Sequence, residues 1–143
     1  MFENNSQDIL YVKKSDLKKD ISLNPIWRNI FLNEKQGNNY VAYDRKKKNK
    51  IICEFCFIRR DIVLELSVVV YNLKGFRKSL KLFCELLFNK YKEASKITVY
   101  LLSPEKLGML FMNLCGFKKE VKVKKLYKIN GKRCDYIIYS KLR

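Results

Sequence analysis

The longest organised hydrophobic pattern in the chain is Ile62–Tyr91, a stretch of strand character followed by a run of helical period. Ile62–Tyr71 carries β-branched Val63, Val68, Val69 and Val70 with no breaker before Asn72, which predicts a strand. Phe76, Leu80, Phe83, Leu87 and Tyr91, widened by Cys84 and Phe88, recur at 3.6-residue spacing and predict a helix over about Gly75–Glu93. Upstream, Ile9–Val12 predicts a short strand ahead of the charged break Lys13–Lys19. Asn24-Pro25 offers an N-cap and a proline for the first helical position. Ile26, Trp27, Ile30 and Phe31 follow with helical pairing, so Pro25–Asn33 is expected as a short helix, and Gly37-Asn38-Asn39 as a turn. Tyr40–Asp44 and Lys50–Ile58 are expected strands around a lysine-rich loop, Arg45–Asn49. With Arg59-Arg60-Asp61 as the next turn, they form an antiparallel meander with Ile62–Tyr71.

Beyond the long helix, Lys96–Leu102 predicts a strand parallel to Ile62–Tyr71, joined to it by a right-handed crossover. Ser103-Pro104-Glu105 is expected to open a second helix, with Ser103 as N-cap, an apolar side of Met109, Phe111 and Met112, and Gly116 as its end. In Phe117–Ile129, lysines alternate with Val121, Val123, Leu126 and Ile129. Asn130-Gly131 then fits a type I′ hairpin turn, and Asp135–Ser140 is the returning strand. The order implies one domain over residues 1–143, an α/β (α+β) mixed sheet of about seven mostly antiparallel strands with three to four helices.

Composition narrows the class. Apolar residues make up 48% of the 143, enough for a core, and no apolar run reaches the length needed to cross a bilayer. Residues 1–12 lack the basic start and apolar middle of a signal peptide, so a cytoplasmic protein, monomeric or homodimeric, is expected. The formal net charge of +17 admits acidic partners, nucleic acid among them. Of the 31 basic residues, however, 24 are Lys and 7 Arg. That balance fits a solvated surface encoded by A-rich codons better than bidentate recognition of bases. A nucleic-acid reading would place Tyr40, Tyr43 and Tyr127 among the cations of Arg45–Lys50 and Lys118–Arg133 as stacking platforms.

The absence of histidine removes the commonest general base and metal ligand, and no metal site is expected. Five cysteines without secretory context are expected as free thiols. Cys53 and Cys56 stand three apart in a strand and so face opposite ways, which does not suit a shared metal.

The chemistry concentrates where the long strand meets the long helix. Lys74, Gly75, Arg77 and Lys78 surround the first turn of a helix, whose unpaired amides and partial positive charge suit an anionic phosphate.

The element order, ending in Leu114-Cys115-Gly116-Phe117, together with the tail Asn130-Gly131-Lys132 … Asp135 … Tyr139-Ser140, resembles the GNAT family of acetyl-CoA-dependent N-acetyltransferases. The C-terminal half is most similar to the subgroup acting on protein N-termini or ribosomal proteins. The resemblance implies a central parallel pair of strands that splay apart, with acetyl-CoA as co-substrate and a primary amine, of a protein or peptide, as acceptor. It implies that the backbone of Val68, Val69 and Val70 pairs with the cofactor arm. It also implies that Lys74, Gly75, Phe76, Arg77 and Lys78 hold the pyrophosphate, so a bulky residue at Gly75 is expected to weaken cofactor binding and spare the fold. Glu65 matches a strand glutamate that takes the proton of the attacking amine. Tyr100, with Tyr71 and Tyr139 as alternatives, is a candidate acid, because Met112 stands where family members carry an acidic tyrosine. Arg77 replaces a small residue of the phosphate turn, and Glu105 stands where asparagine is frequent. These departures leave two alternatives beside an active enzyme: a binding or regulatory protein that has lost catalysis, and an RNA-binding module.

Overall fold

A computed structural model of the chain describes residues 10–14, 24–31, 37–47 and 50–143. The strands are β1 (Leu10–Lys14), β2 (Trp27–Arg28), β3 (Asn38–Asp44), β4 (Lys50–Arg60), β5 (Val63–Val70), β6 (Lys96–Leu102), β7 (Lys118–Ile129) and β8 (Lys132–Leu142). The helices are α1 (Phe76–Lys90), between β5 and β6, and α2 (Lys106–Leu114), between β6 and β7. The sheet runs β1-β3-β4-β5-β6-β8-β7, with β2 added against β5. All pairings are antiparallel except β5 with β6, the pair that α1 crosses. The expected strand order and the parallel pair are therefore present. Ser15–Lys19 of the expected charged break, and Lys48–Asn49 of the lysine-rich loop, lie outside the described residues.

Alternation along β5 sets two environments. Leu64, Leu66, Val68 and Val70 enter the core with Phe76, Leu80, Phe83 and Leu87 of α1. Phe83 stacks on Phe55 at 4.3 Å between ring centroids and is fully buried, which contributes roughly 2–3 kcal/mol by removal of apolar area alone. On the same strand, Glu65 and Ser67 face the other side of the sheet. Cys53 joins the core while Cys56 lines the opposite face, as their spacing in a strand requires. Asn130 and Gly131 both have positive φ, the geometry of the expected type I′ turn.

Three expectations are corrected. Residues 26–31 are not helical: Trp27 and Arg28 form β2, paired with Val70 and Val69, and Leu32–Asn33 of the expected helix lie outside the described residues. The edge of β5 supplies hydrogen-bond partners that outweigh the helical pattern of Ile26, Trp27, Ile30 and Phe31. The described residues consequently hold two α-helices rather than three or four. Helix α2 begins at Lys106 with Glu105 as N-cap, because Ser103 Oγ is turned to accept the Asp135 N–H at 3.0 Å. Tyr40 is buried between Phe57 and Phe83 and presents no ring for stacking on bases.

Candidate active site

The site follows from where two parallel strands separate. β5 and β6 stay in register from Val63↔Lys96 to Glu65↔Thr98 and then diverge. Beyond that point, Leu66–Val70 and Val99–Leu102 face one another across a gap. Glu65 stands at its mouth. Its Oε1 accepts the Tyr100 hydroxyl at 3.0 Å and pairs with Arg60 Nε at 3.0 Å. Phe31, Cys56, Ile58, Arg60, Glu65, Ser67 and Tyr100 line a cavity of about 190 Å³ on this side of the sheet. Burial, and with it the neighbouring carboxylate, pushes the Tyr100 phenol above its ordinary value, so it keeps its proton at neutral pH. Tyr136 stacks on Tyr100 at 5.7 Å, and its own phenol is pushed up to about 12, first by burial. The other tyrosines considered as acids lie elsewhere: Tyr71 donates to Glu54, and Tyr139 is buried in the core.

The turn before α1 is where the resemblance leads one to expect the phosphates. Gly75 caps α1 with φ +89°, a conformation that L side chains rarely adopt. A Cβ there would point at Ile52 Cδ1, 3.1 Å away, so the glycine answers to the core as well as to the turn. Asn72 Oδ1 accepts the Lys74 amide at 3.2 Å, and Leu73 O accepts the Phe76 amide at 3.2 Å. Two of the amides expected to cradle a phosphate are therefore engaged. Phe76 turns its ring into the core against Phe111. Lys74, Arg77 and Lys78 are exposed around the turn.

The gap between the splayed strands is closed by the chain itself. Val70 O accepts the Ile26 amide at 2.7 Å and Val68 O accepts the Asn29 amide at 2.9 Å. Asn29 is buried and donates from Nδ2 to Tyr100 O at 3.1 Å, which ties β6 to the inserted segment. Glu105 fastens the far end: its carboxylate accepts the Trp27 indole N–H at 3.2 Å, the Ile30 amide at 3.0 Å and the Leu102 amide at 2.8 Å. Burial raises the pKa of this carboxyl, and the three donors oppose the rise. The Trp27 ring fits into the space left by Gly108, where a Cβ would come within 2.4 Å of Cζ2. Sequence reading overlooked this assembly. Its signal was Gly108 itself, a glycine inside a nine-residue helix, where it costs about 0.5–1 kcal/mol relative to alanine. The backbone edge of Val68, Val69 and Val70 is thus paired with protein on both sides, and an acyl-CoA arm does not fit along it in this conformation.

No family model and no curated protein sequence matches the chain. Solved structures do. A ribosomal-protein-S5-alanine acetyltransferase from Vibrio fischeri superposes with TM-score 0.59 and 23% identity over 75% of this chain, which spans 62% of that protein's length. A GNAT-family acetyltransferase from Bacillus anthracis gives TM-score 0.63 and 16% identity, covering 73% of this chain and 65% of its own. A spermidine N-acetyltransferase variant from Vibrio cholerae gives 0.63 and 18%, covering 76% and 67%. The chain has the fold of the GNAT acetyltransferases.

Proposed function

We propose that this chain, with its GNAT fold, is an amine N-acetyltransferase acting by direct attack of a primary amine on acetyl-CoA. The observation that carries the reading is the Glu65–Tyr100 hydrogen bond at the point where the parallel strands part. Acetyl-CoA, when bound, supplies an activated acyl carbon. Glu65 would accept the proton that the acceptor nitrogen loses as its bond to carbon forms. Tyr100, protonated and 3.0 Å from the same carboxylate, would donate a proton to the departing sulfur and regain one from Glu65. Arg60 holds the carboxylate in place, and its own exposure lets it yield to an incoming amine. Lys74, Arg77 and Lys78 supply positive charge for phosphates. The cavity, walled by Phe31 among the described residues, suits an extended acceptor such as a peptide terminus or a lysine side chain.

A second reading, a binding or regulatory protein without catalysis, is favoured by one observation, the pairing of β2 along β5. Transfer of labelled acetyl to a panel of amine-bearing peptides and polyamines tests the first. Glu65→Gln should lower turnover by about 10²-fold or more with little change in affinity for coenzyme A. Equal turnover in wild type and variant removes Glu65 from the chemistry, and absence of transfer together with absence of coenzyme A binding leaves the second reading.

A further inference from the structure

We infer that residues 26–31 are an autoinhibitory strap, bound by β-strand addition in the groove that an acyl-CoA arm needs, and that cofactor binding requires the strap to leave β5. The inference rests on the acetyltransferase reading above. Its structural basis is one competition: the carbonyls of Val68 and Val70 that face the gap already accept the amides of Asn29 and Ile26. An extended arm bearing amides would seek the same strand edge, because edge pairing uses backbone groups alone. Two ligands for one edge exclude each other.

The strap is built to be held and also to be released. Its register with β5 is only two residues long, and Ile26 and Ile30 at its ends stand 43% and 49% exposed. Its retention also rests on side chains that leave the backbone of β5 untouched: Trp27 against Gly108, Asn29 on Tyr100 O, Phe31 against Tyr127 and Tyr136, and Glu105, which gathers Trp27, Ile30 and Leu102. Asn29 also links the strap to the catalytic candidate Tyr100 through that residue's own carbonyl, so release of the strap and freedom of β6 go together. A closed state of this kind lowers apparent affinity by the fraction of molecules that are open.

Gly108→Ala is the sharpest test. Alanine suits the interior of α2 better than glycine, yet its Cβ occupies the place of the Trp27 ring. Coenzyme A is titrated calorimetrically into wild type, Gly108→Ala and Trp27→Ala, with circular dichroism reporting the fold. Both variants should bind at least tenfold more tightly than wild type, a gain of about 1.4 kcal/mol. Measurable and equal affinity in all three overturns the strap while leaving the acetyltransferase reading in place. No binding by any of the three folded proteins up to millimolar coenzyme A overturns the acetyltransferase reading and the strap with it. Should the variants fail to fold, hydrogen exchange on the wild type decides. Saturating coenzyme A should speed exchange at the Ile26 and Asn29 amides, and unchanged or slower exchange there rejects the strap.

Discussion

Gly75→Ala measures how far the turn before α1 serves the fold rather than the ligand. Gly75 sits at φ +89°, and holding an L residue in a left-handed conformation costs about 1–2 kcal/mol. The new methyl would also press on Ile52 Cδ1 at 3.1 Å, a crowding of roughly 0.5 kcal/mol if Ile52 shifts a few tenths of an ångström. Against this, alanine loses less chain entropy on folding, and about 0.5 kcal/mol returns through the unfolded state. The net expectation is a destabilisation of about 1–2 kcal/mol, or roughly 3–8 °C in melting temperature for a domain of this size. Urea unfolding followed by circular dichroism reads it directly. Ile52→Val removes Cδ1 and by itself costs about 0.5–1.5 kcal/mol, but in the Gly75→Ala background it should cost about 0.5 kcal/mol less. A Gly75→Ala protein as stable as wild type would refute the claim that the left-handed cap is required. Strict additivity with Ile52→Val would refute the Ile52 contact. The expectation that a bulky residue at Gly75 spares the fold is replaced, since its Cβ points inward.

Three further outcomes follow from the same geometry. Tyr100→Phe should keep the fold and lower kcat of acetyl transfer by about 10-fold or more while leaving KM nearly unchanged. Equal kcat would assign the acid role elsewhere. The Tyr136 phenol, raised by burial to about 12 against an ordinary 10, keeps its proton in the folded state through a range where the unfolded chain has lost it. Stability should therefore fall as pH rises from about 10 to about 12. Tyr136→Phe should flatten that slope in pH-dependent urea unfolding, and an unaltered slope counts against the assignment. Cys53, Cys56, Cys84, Cys115 and Cys134 are all buried, and burial pushes the Cys84 thiol to about 12. A thiol reagent at neutral pH should thus label none of them in the native protein and all five in urea, whereas rapid native labelling would show that the core opens more readily than its packing implies.

Among the described residues, several of the basic surface's charges and rings already have partners within the chain. The lysines of β7 are exposed along the full strand, with Lys122 engaged by Asp135, while Glu120 of the same strand pairs with Lys96. Tyr127 packs against Phe31 and Tyr136 and is committed to the cluster above the cavity.

Local patterns were legible wherever one short-range force dominated. Val63–Val70 reads as a strand because its branched side chains fit a pleated surface, Phe76–Lys90 as a helix because its apolar residues fall on one stripe, and Asn130-Gly131 as a turn because both tolerate positive φ. These elements fix the parallel pair, and the structure shows where that pair parts, with Glu65 and Tyr100 on the rim of the gap. Residues 26–31 were illegible for the opposite reason. Their spacing suits a helix, and only the unpaired edge of β5, some forty residues away in the chain, makes extension the lower state. The same holds for Gly108 and Glu105, whose purpose is visible only once Trp27 lies between them. The parallel pair is thus legible in the order of residues along the chain, whereas the splay and the residues at its mouth are legible only through the resemblance to the GNAT family. What lies in the gap is legible in neither, because a strand edge selects its partner by geometry across space and leaves no periodicity in the segment that supplies it.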